Sequence, residues 1–258
     1  MSASLLRSDE IPDDGGRLVI SGPEGKHGAA ALRLKPGEGI LVGDGAGVLA
    51  ECEVVSAAGS EVEVVVRSRT EHQAPRPAVT IVQALPKSER SELAVDLATE
   101  AGADEIIPWQ ADRCISRWTG GKDKADKGRQ KWQNAARAAA KQARRAFEPP
   151  IGELVDTKTL TGMVADWANT SSAVIVLHEE ESRAFTDLVA NAVGEGIERI
   201  VLVVGPEGGV AEHEIEALRE AGATPALLGP EVLRTSTAAA VALGAIGALT
   251  ARWPSSRG

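Results

Sequence analysis

The stretch that decides the fold is Ile200-Val201-Leu202-Val203-Val204-Gly205-Pro206-Glu207-Gly208-Gly209. Consecutive apolar residues, mostly β-branched, run straight into a glycine-rich turn. Such a run, without polar alternation, reads as a strand buried on both faces of a parallel sheet. A helix follows within two residues. Glu212 and Glu214 fall in its first turn, where the helix dipole favours carboxylates. Further on, Leu228-Gly229-Pro230 and then Leu233-Arg234-Thr235-Ser236-Thr237 lead into an Ala-rich helix. Two such turns expose backbone N–H and C=O groups at the carboxyl edge of a sheet, where open α/β folds bind ligands. Glycine lets a ligand approach the chain closely. The turns fit a small polar molecule held by main-chain contacts, with Arg234 as the nearest cation.

Outward from this stretch, strands and helices alternate from Ala78 onward. The strands read as Val79–Leu85, Glu105–Trp109, Val174–Leu177, Ile200–Val204 and Pro225–Leu228. The helices read as Ser88–Ala101, closed by Gly102, then Lys127–Phe147, Ala184–Val193, Ala211–Ala221 and Ser236–Arg252. This alternation predicts a parallel sheet covered on both faces. Residues 1–72 differ. Arg17–Ile20, Ile40–Val42, Val48–Val55 and Glu61–Val66 read as short strands with turns at Asp44-Gly45 and Ala58-Gly59, and one helix spans His27–Leu34. That pattern predicts a small β-barrel. Residues 73–77, Gln-Ala-Pro-Arg-Pro, form a stiff linker, and 78–258 make the second domain.

Composition narrows the function. The chain has 258 residues, and its two cysteines, Cys52 and Cys114, stand at no metal-ligand spacing. No signal peptide is visible at the N-terminus, and no apolar run approaches the length of a membrane span. A soluble protein of a reducing cytoplasm is expected, with no metal. Net charge is −9. From Arg113 to Arg145, however, eleven Lys/Arg face two Asp, a local +9 that leaves −18 for the rest. A basic segment on an acidic body is a candidate phosphate-binding surface, or a solvated helical face. Trp118 and Trp132 lie within it and could stack on bases. Cys114 reads as a small core residue.

Neither turn is a nucleotide fingerprint, since Gly-x-Gly-x-x-Gly and Gly-Lys-Ser/Thr are both missing. A dinucleotide enzyme and a P-loop phosphohydrolase are disfavoured. Gly-Pro-Glu-Gly also occurs at Gly22–Gly25, where it reads as an ordinary turn. His178 reads as a strand-end surface residue before a general base.

The combined motifs resemble the 16S rRNA (uracil-N3)-methyltransferase family of knotted SPOUT methyltransferases. Gly205-Pro206-Glu207-Gly208-Gly209, Glu214 and Leu228-Gly229-x-x-x-Leu233-Arg234-Thr235-x-Thr237-Ala238 carry the resemblance. So do Leu85-Pro86-Lys87 with Arg90, Ala98-Thr99-Glu100-x-Gly102, Ile107-Pro108 with Arg113, Gln142-x-x-Arg145 with Pro149, and Leu177-His178-Glu179. It covers essentially the whole chain. Ser236 departs from it, because the family usually has Glu there.

The resemblance implies an α/β fold with a SPOUT-type C-terminal domain holding a deep trefoil knot, and an N-terminal PUA-like β-barrel. It implies S-adenosylmethionine as methyl donor, a uridine N3 of 16S rRNA in the small ribosomal subunit as acceptor, and a homodimer. The expected cofactor contacts are Leu177, His178, Gly205, Pro206, Glu207, Gly208, Gly209, Leu228, Gly229, Leu233, Arg234, Thr235 and Thr237. Arg234 is the expected catalytic residue, because a fixed, forked cation stabilises negative charge growing on the base. The expected RNA contacts are Lys87, Arg90, Arg113, Arg117, Lys122, Lys124, Arg129, Lys131, Gln142 and Arg145. Two other readings stay open: a related methyltransferase acting on a ribose 2′-hydroxyl or on tRNA, and a non-catalytic RNA-binding assembly factor.

Overall fold

The structure is a computed structural model that describes residues 4–87, 90–118 and 120–253, apart from the side chain of Lys122. Residue Ser88, the expected start of a helix, lies outside the described residues. The chain divides into two compact units, Met1–Ala74 with Ala140–Glu148, and Pro75–Ala139 with Pro149–Gly258. The N-terminal unit thus takes up a distant segment that boundaries drawn along the sequence leave elsewhere.

The N-terminal unit holds β1 (Leu5–Arg7), β2 (Arg17–Ile20), β3 (Gly39–Gly43), β4 (Val48–Ala58) and β5 (Glu61–Glu71). They form one sheet in the order β1-β3-β4-β5-β2, with β1 parallel to β3 and the other pairs antiparallel. β4 and β5 outrun the strands expected from sequence, and β1 has no counterpart among them. Alternate residues point inward, so Leu6, Ile40, Val42, Val54, Val62 and Val64 meet in one core.

Gly22–Lys26 forms a short helix, α1, and is not the expected turn. Pro23 suits the first helical turn because it needs no N–H partner there. Gly25 packs so closely on the carbonyls of Ile20 and Ser60 that a side chain would not fit. Glu24 accepts from the Arg7 N–H (2.9 Å) and pairs with Lys141 Nζ (2.7 Å). A π-helical turn, His27–Ala31, replaces the single helix expected over 27–34.

The C-terminal unit begins with β6 (Ala78–Ala84), α2 (Ser91–Ala101), β7 (Glu105–Gln110) and α3 (Lys122–Gln142), whose last residues, from Ala140, belong to the N-terminal unit. It continues with β8 (Val155–Asp156), α4 (Thr157–Ala168), β9 (Ser172–Leu177), α5 (Phe185–Gly194), β10 (Arg199–Val204), α6 (Glu212–Glu220), β11 (Thr224–Ala226) and α7 (Thr235–Leu249). Helix α3 starts earlier and ends earlier than its charge pattern suggests, and Arg144 beyond it is left-handed, φ 53°. Helix α4 has no counterpart among the helices expected from sequence; its N-cap Asp156 accepts from the Thr159 N–H at 2.8 Å.

The strands lie in the order β11-β9-β10-β6-β7-β8, and every pairing is parallel. β6 and β10 sit centrally, and Val79, Ile81, Val82 and Ile200–Val204 are buried, as a sheet covered on both faces requires. α7, apolar nearly all round, packs on α2, α5, β6 and β10. Beyond it, Arg252 is clamped to Asp104 (2.7 Å) and to the carbonyls of Gly102 and Pro77. No helix among the described residues is long and apolar enough to cross a membrane.

Candidate active site

Three neighbouring strands end at one level. Leu177, the last residue of β9, pairs with Val204, the last of β10, and with Ala226, the last of β11. The loops that follow therefore leave the sheet side by side at its carboxyl edge. They enclose a cavity of about 650 Å³. Its wall includes Leu177, His178, Gly205–Gly209, Leu228, Gly229, Leu233, Arg234 and Thr235, residues of three separate loops brought together by the strand register. Thr237 is not part of the wall. Its hydroxyl and N–H both donate to the Arg234 carbonyl, closing the first turn of α7.

The first glycine turn is braced from outside. The Gly209 N–H donates to the Pro206 carbonyl (2.9 Å), and Gly209 has φ 71°, a left-handed value that favours glycine. Glu207 accepts from the Lys87 N–H at 3.1 Å, and Arg113 donates to the Gly208 carbonyl at 3.1 Å. Behind the turn lies Glu214, with no exposed surface. Its carboxylate accepts from the N–H groups of Asp112 (3.0 Å) and Ala211 (3.1 Å) and from the Thr157 hydroxyl (2.5 Å). A buried carboxylate with three donors is fully paired, so it ties together the two loops carrying Arg113 and Gly208. Sequence reading recognised Glu214 as part of a motif but not this bracing role, which depends on partners far away in the chain.

The second turn is zipped to the loop after β9, through His178 N–H to Ala226 carbonyl (3.0 Å) and Leu227 N–H to Arg183 carbonyl (2.9 Å). Arg234 is the extended N-cap of α7, and its exposed guanidinium has no hydrogen bond or ion pair among the described residues. Ser236, just inside the helix, is buried.

Two observations bear on a ligand. His178 Nδ1 is buried without a partner among the described residues, and a buried polar atom of this kind calls for one. A Cβ placed on Gly229 meets, beyond its two chain neighbours, no atom of the described residues within 4 Å, so the bare backbone there faces open space. These suit an adenosyl cofactor gripped by main-chain groups. No group of three or more His, Cys, Asp or Glu among the described residues could hold a metal.

The expected RNA contacts divide. Lys124, Lys131 and Gln142 are exposed, as is Lys127 between them. Arg113 and Arg117 lie on the loop after β7, where Arg117 donates to the Asp112 carbonyl (3.1 Å). Lys87 is exposed and Arg90 half-buried. Arg129 is engaged by Glu153 (2.6 Å) and the Ile151 carbonyl (2.9 Å). The Arg145 carbonyl accepts from Arg7. Trp132 is not available for stacking on a base. It is fully buried, donates to Ser91 Oγ at 2.8 Å, and meets Trp118 edge-on at 5.1 Å between centroids. Trp118 in turn lies flat on Gly128, where a side chain would collide with its ring. Burial pushes the Cys114 thiol up to about 11, as suits a core residue.

Residues 72–247 match the family model for the RNA methyltransferase domain, and residues 20–67 match the RNA methyltransferase PUA domain. The chain is 48% identical over 256 residues to Ribosomal RNA small subunit methyltransferase E of Mycobacterium tuberculosis, covering 99% of this chain and 95% of that protein. It is 31% identical over 231 residues to the Bacillus subtilis protein of the same name, covering 88% of each. A solved structure from Legionella pneumophila, described as a methyltransferase in complex with the bound cofactor SAM, is 27% identical with a TM-score of 0.81, covering 96% of this chain and 98% of that one. The chain belongs to the RNA methyltransferase family.

Proposed function

We propose that this member of the RNA methyltransferase family transfers a methyl group from S-adenosylmethionine to N3 of a uridine in 16S rRNA. The observation that carries the reading is the common level at which β9, β10 and β11 end, with the cavity formed by their three loops. The names of the Mycobacterium tuberculosis and Bacillus subtilis relatives support a small-subunit rRNA substrate. The SAM-bound Legionella pneumophila relative supports the donor.

Main-chain groups of residues 205–209 and 228–234, with Leu177 and His178, would hold the cofactor. When bound, it supplies an electrophilic methyl on a sulfonium. The protein's task is then placement, since in-line displacement depends on alignment. Uridine N3 must shed its proton as it attacks, and negative charge grows on O2 and O4. Arg234, on the cavity wall and with no hydrogen bond or ion pair among the described residues, would stabilise that charge. The exposed Lys124, Lys127 and Lys131 of α3, with Lys87, Arg90, Arg113 and Arg117, form the RNA-facing charge.

The finer architecture belongs to the same proposal. The chain forms a SPOUT domain with a trefoil knot. This is supported by β11 pairing on the outer side of β9 before the chain returns to set α7 on α2. The N-terminal sheet curls into a PUA-like barrel around its single core, and the protein acts as a cytoplasmic homodimer on the small ribosomal subunit. Mass-spectrometric mapping of 16S rRNA from cells with and without the gene tests the reading. One N3-methyluridine should vanish with the gene. Retention of every methylated uridine would contradict it.

A further inference from the structure

The wall of the cavity is acidic at its lip. Glu179 and Glu180 follow β9, Glu207 sits within the first glycine turn with Glu212 just beyond it, and Glu231 follows Gly229-Pro230 of the second. All are exposed. Among the described residues two guanidiniums, Arg113 and Arg234, belong to the same wall, which leaves these residues a formal charge of −3 with His178 counted as neutral. Neighbouring Glu181 is paired with Arg219 at 2.6 Å, whereas Glu179, Glu180, Glu212 and Glu231 have no ion pair among the described residues. Such a cavity is poorly suited to a polyphosphate and favours a ligand carrying positive charge.

We propose that this acidic lip selects the cationic sulfonium form of the cofactor over the demethylated product, so that transfer itself weakens the site's hold. The inference rests on the donor named above. In the reaction, uridine N3 loses its proton to solvent and forms a bond to the methyl carbon. The carbon–sulfur bond breaks with its electron pair staying on sulfur. S-adenosylmethionine carries a net charge of +1 and S-adenosylhomocysteine none, so the ligand loses one unit of charge inside the cavity. The carboxylates attract the first and are indifferent to the second. Their exposure keeps the effect moderate, because salt and water screen it.

Titration calorimetry with S-adenosylmethionine and S-adenosylhomocysteine tests this, with Kd measured for each from low to high sodium chloride. The measured quantity is the ratio of the two affinities. Raising salt well past physiological strength should reduce the preference for the sulfonium by roughly three-fold, because salt screens attraction from exposed carboxylates. The triple variant Glu179→Gln/Glu180→Gln/Glu231→Gln, checked for its melting temperature, should reduce the ratio similarly at low salt and remove most of its salt dependence. A ratio indifferent to both salt and variant, with both ligands bound, overturns the inference and leaves the cofactor reading standing. Failure of a folded wild-type protein to bind either ligand overturns that reading and the inference together.

Discussion

Arg113 Nη1 donates to the carbonyl oxygen of Gly208 across 3.1 Å, so the loop after β7 clasps the glycine turn after β10. The two residues lie 95 positions apart in sequence. A charged hydrogen bond contributes about 1.5–3 kcal/mol when both partners are in place. Arg113→Ala should therefore weaken S-adenosylmethionine binding by roughly ten-fold or more through a loosened turn. Lys should restore part of it. Calorimetry on the folded variant checks this, and unchanged affinity would leave Arg113 with the RNA alone.

Gly229→Ala is the cleanest probe of the second turn. A Cβ there meets, beyond its chain neighbours, no atom of the described residues within 4 Å, and Gly229 has no positive φ. The fold should melt at the wild-type temperature while cofactor affinity falls, because the methyl occupies space only a ligand needs. Equal affinity would place the ligand away from the second turn.

The exposed lysines of α3 should act on RNA without touching the cofactor. Replacing Lys124, Lys127 and Lys131 with Ala should lower the slope of log affinity against log salt by about two, given roughly 0.7 per phosphate contact on single strands. Binding to a 16S rRNA fragment across a salt series reads this out. An unchanged slope would mark the helix as a solvated face.

Asp96 gives a stability prediction. Burial, with Glu100 and Glu92 one helical turn to either side, raises its pKa above the usual carboxylate range. A carboxyl whose folded pKa is raised disfavours folding once it ionises. The cost is absent below the unfolded pKa and complete above the folded one. Asp96→Asn should thus stabilise the protein at pH 7 by a few tenths of a kcal/mol, the size of like-charge i,i+4 pairs. The gain should disappear below about pH 4. Denaturant melts at both pH values test it, and an equal gain at both would point away from charge.

Much of this fold is written locally. The run Ile200–Val204 and the turn after it announce a buried parallel strand and a ligand-binding edge, because period and glycine act over a few residues. Other features depend on partners the sequence does not bring together. Gly22–Gly25 has the same four letters as Gly205–Gly208, yet it forms a helix because Glu24 meets Lys141 and Arg7. Trp132 looks like a stacking platform in a basic segment until Ser91 takes its indole N–H. The pairing of Arg129 with Glu153, 24 positions on, is likewise invisible in the sequence. The role of Glu214 rests on Asp112 and Thr157, which only the folded chain places beside it.

Methyl transfer in a single turnover tests the account most directly. Purified protein, saturating labelled S-adenosylmethionine and small ribosomal subunits lacking the modification should yield one N3-methylated uridine. Arg234→Ala should bind the cofactor normally yet transfer on the order of 10²–10³ more slowly, as loss of a charge-stabilising donor requires. No label in uridine from a folded, cofactor-binding wild-type protein would contradict the account, and wild-type transfer by Arg234→Ala would remove Arg234 from the chemistry.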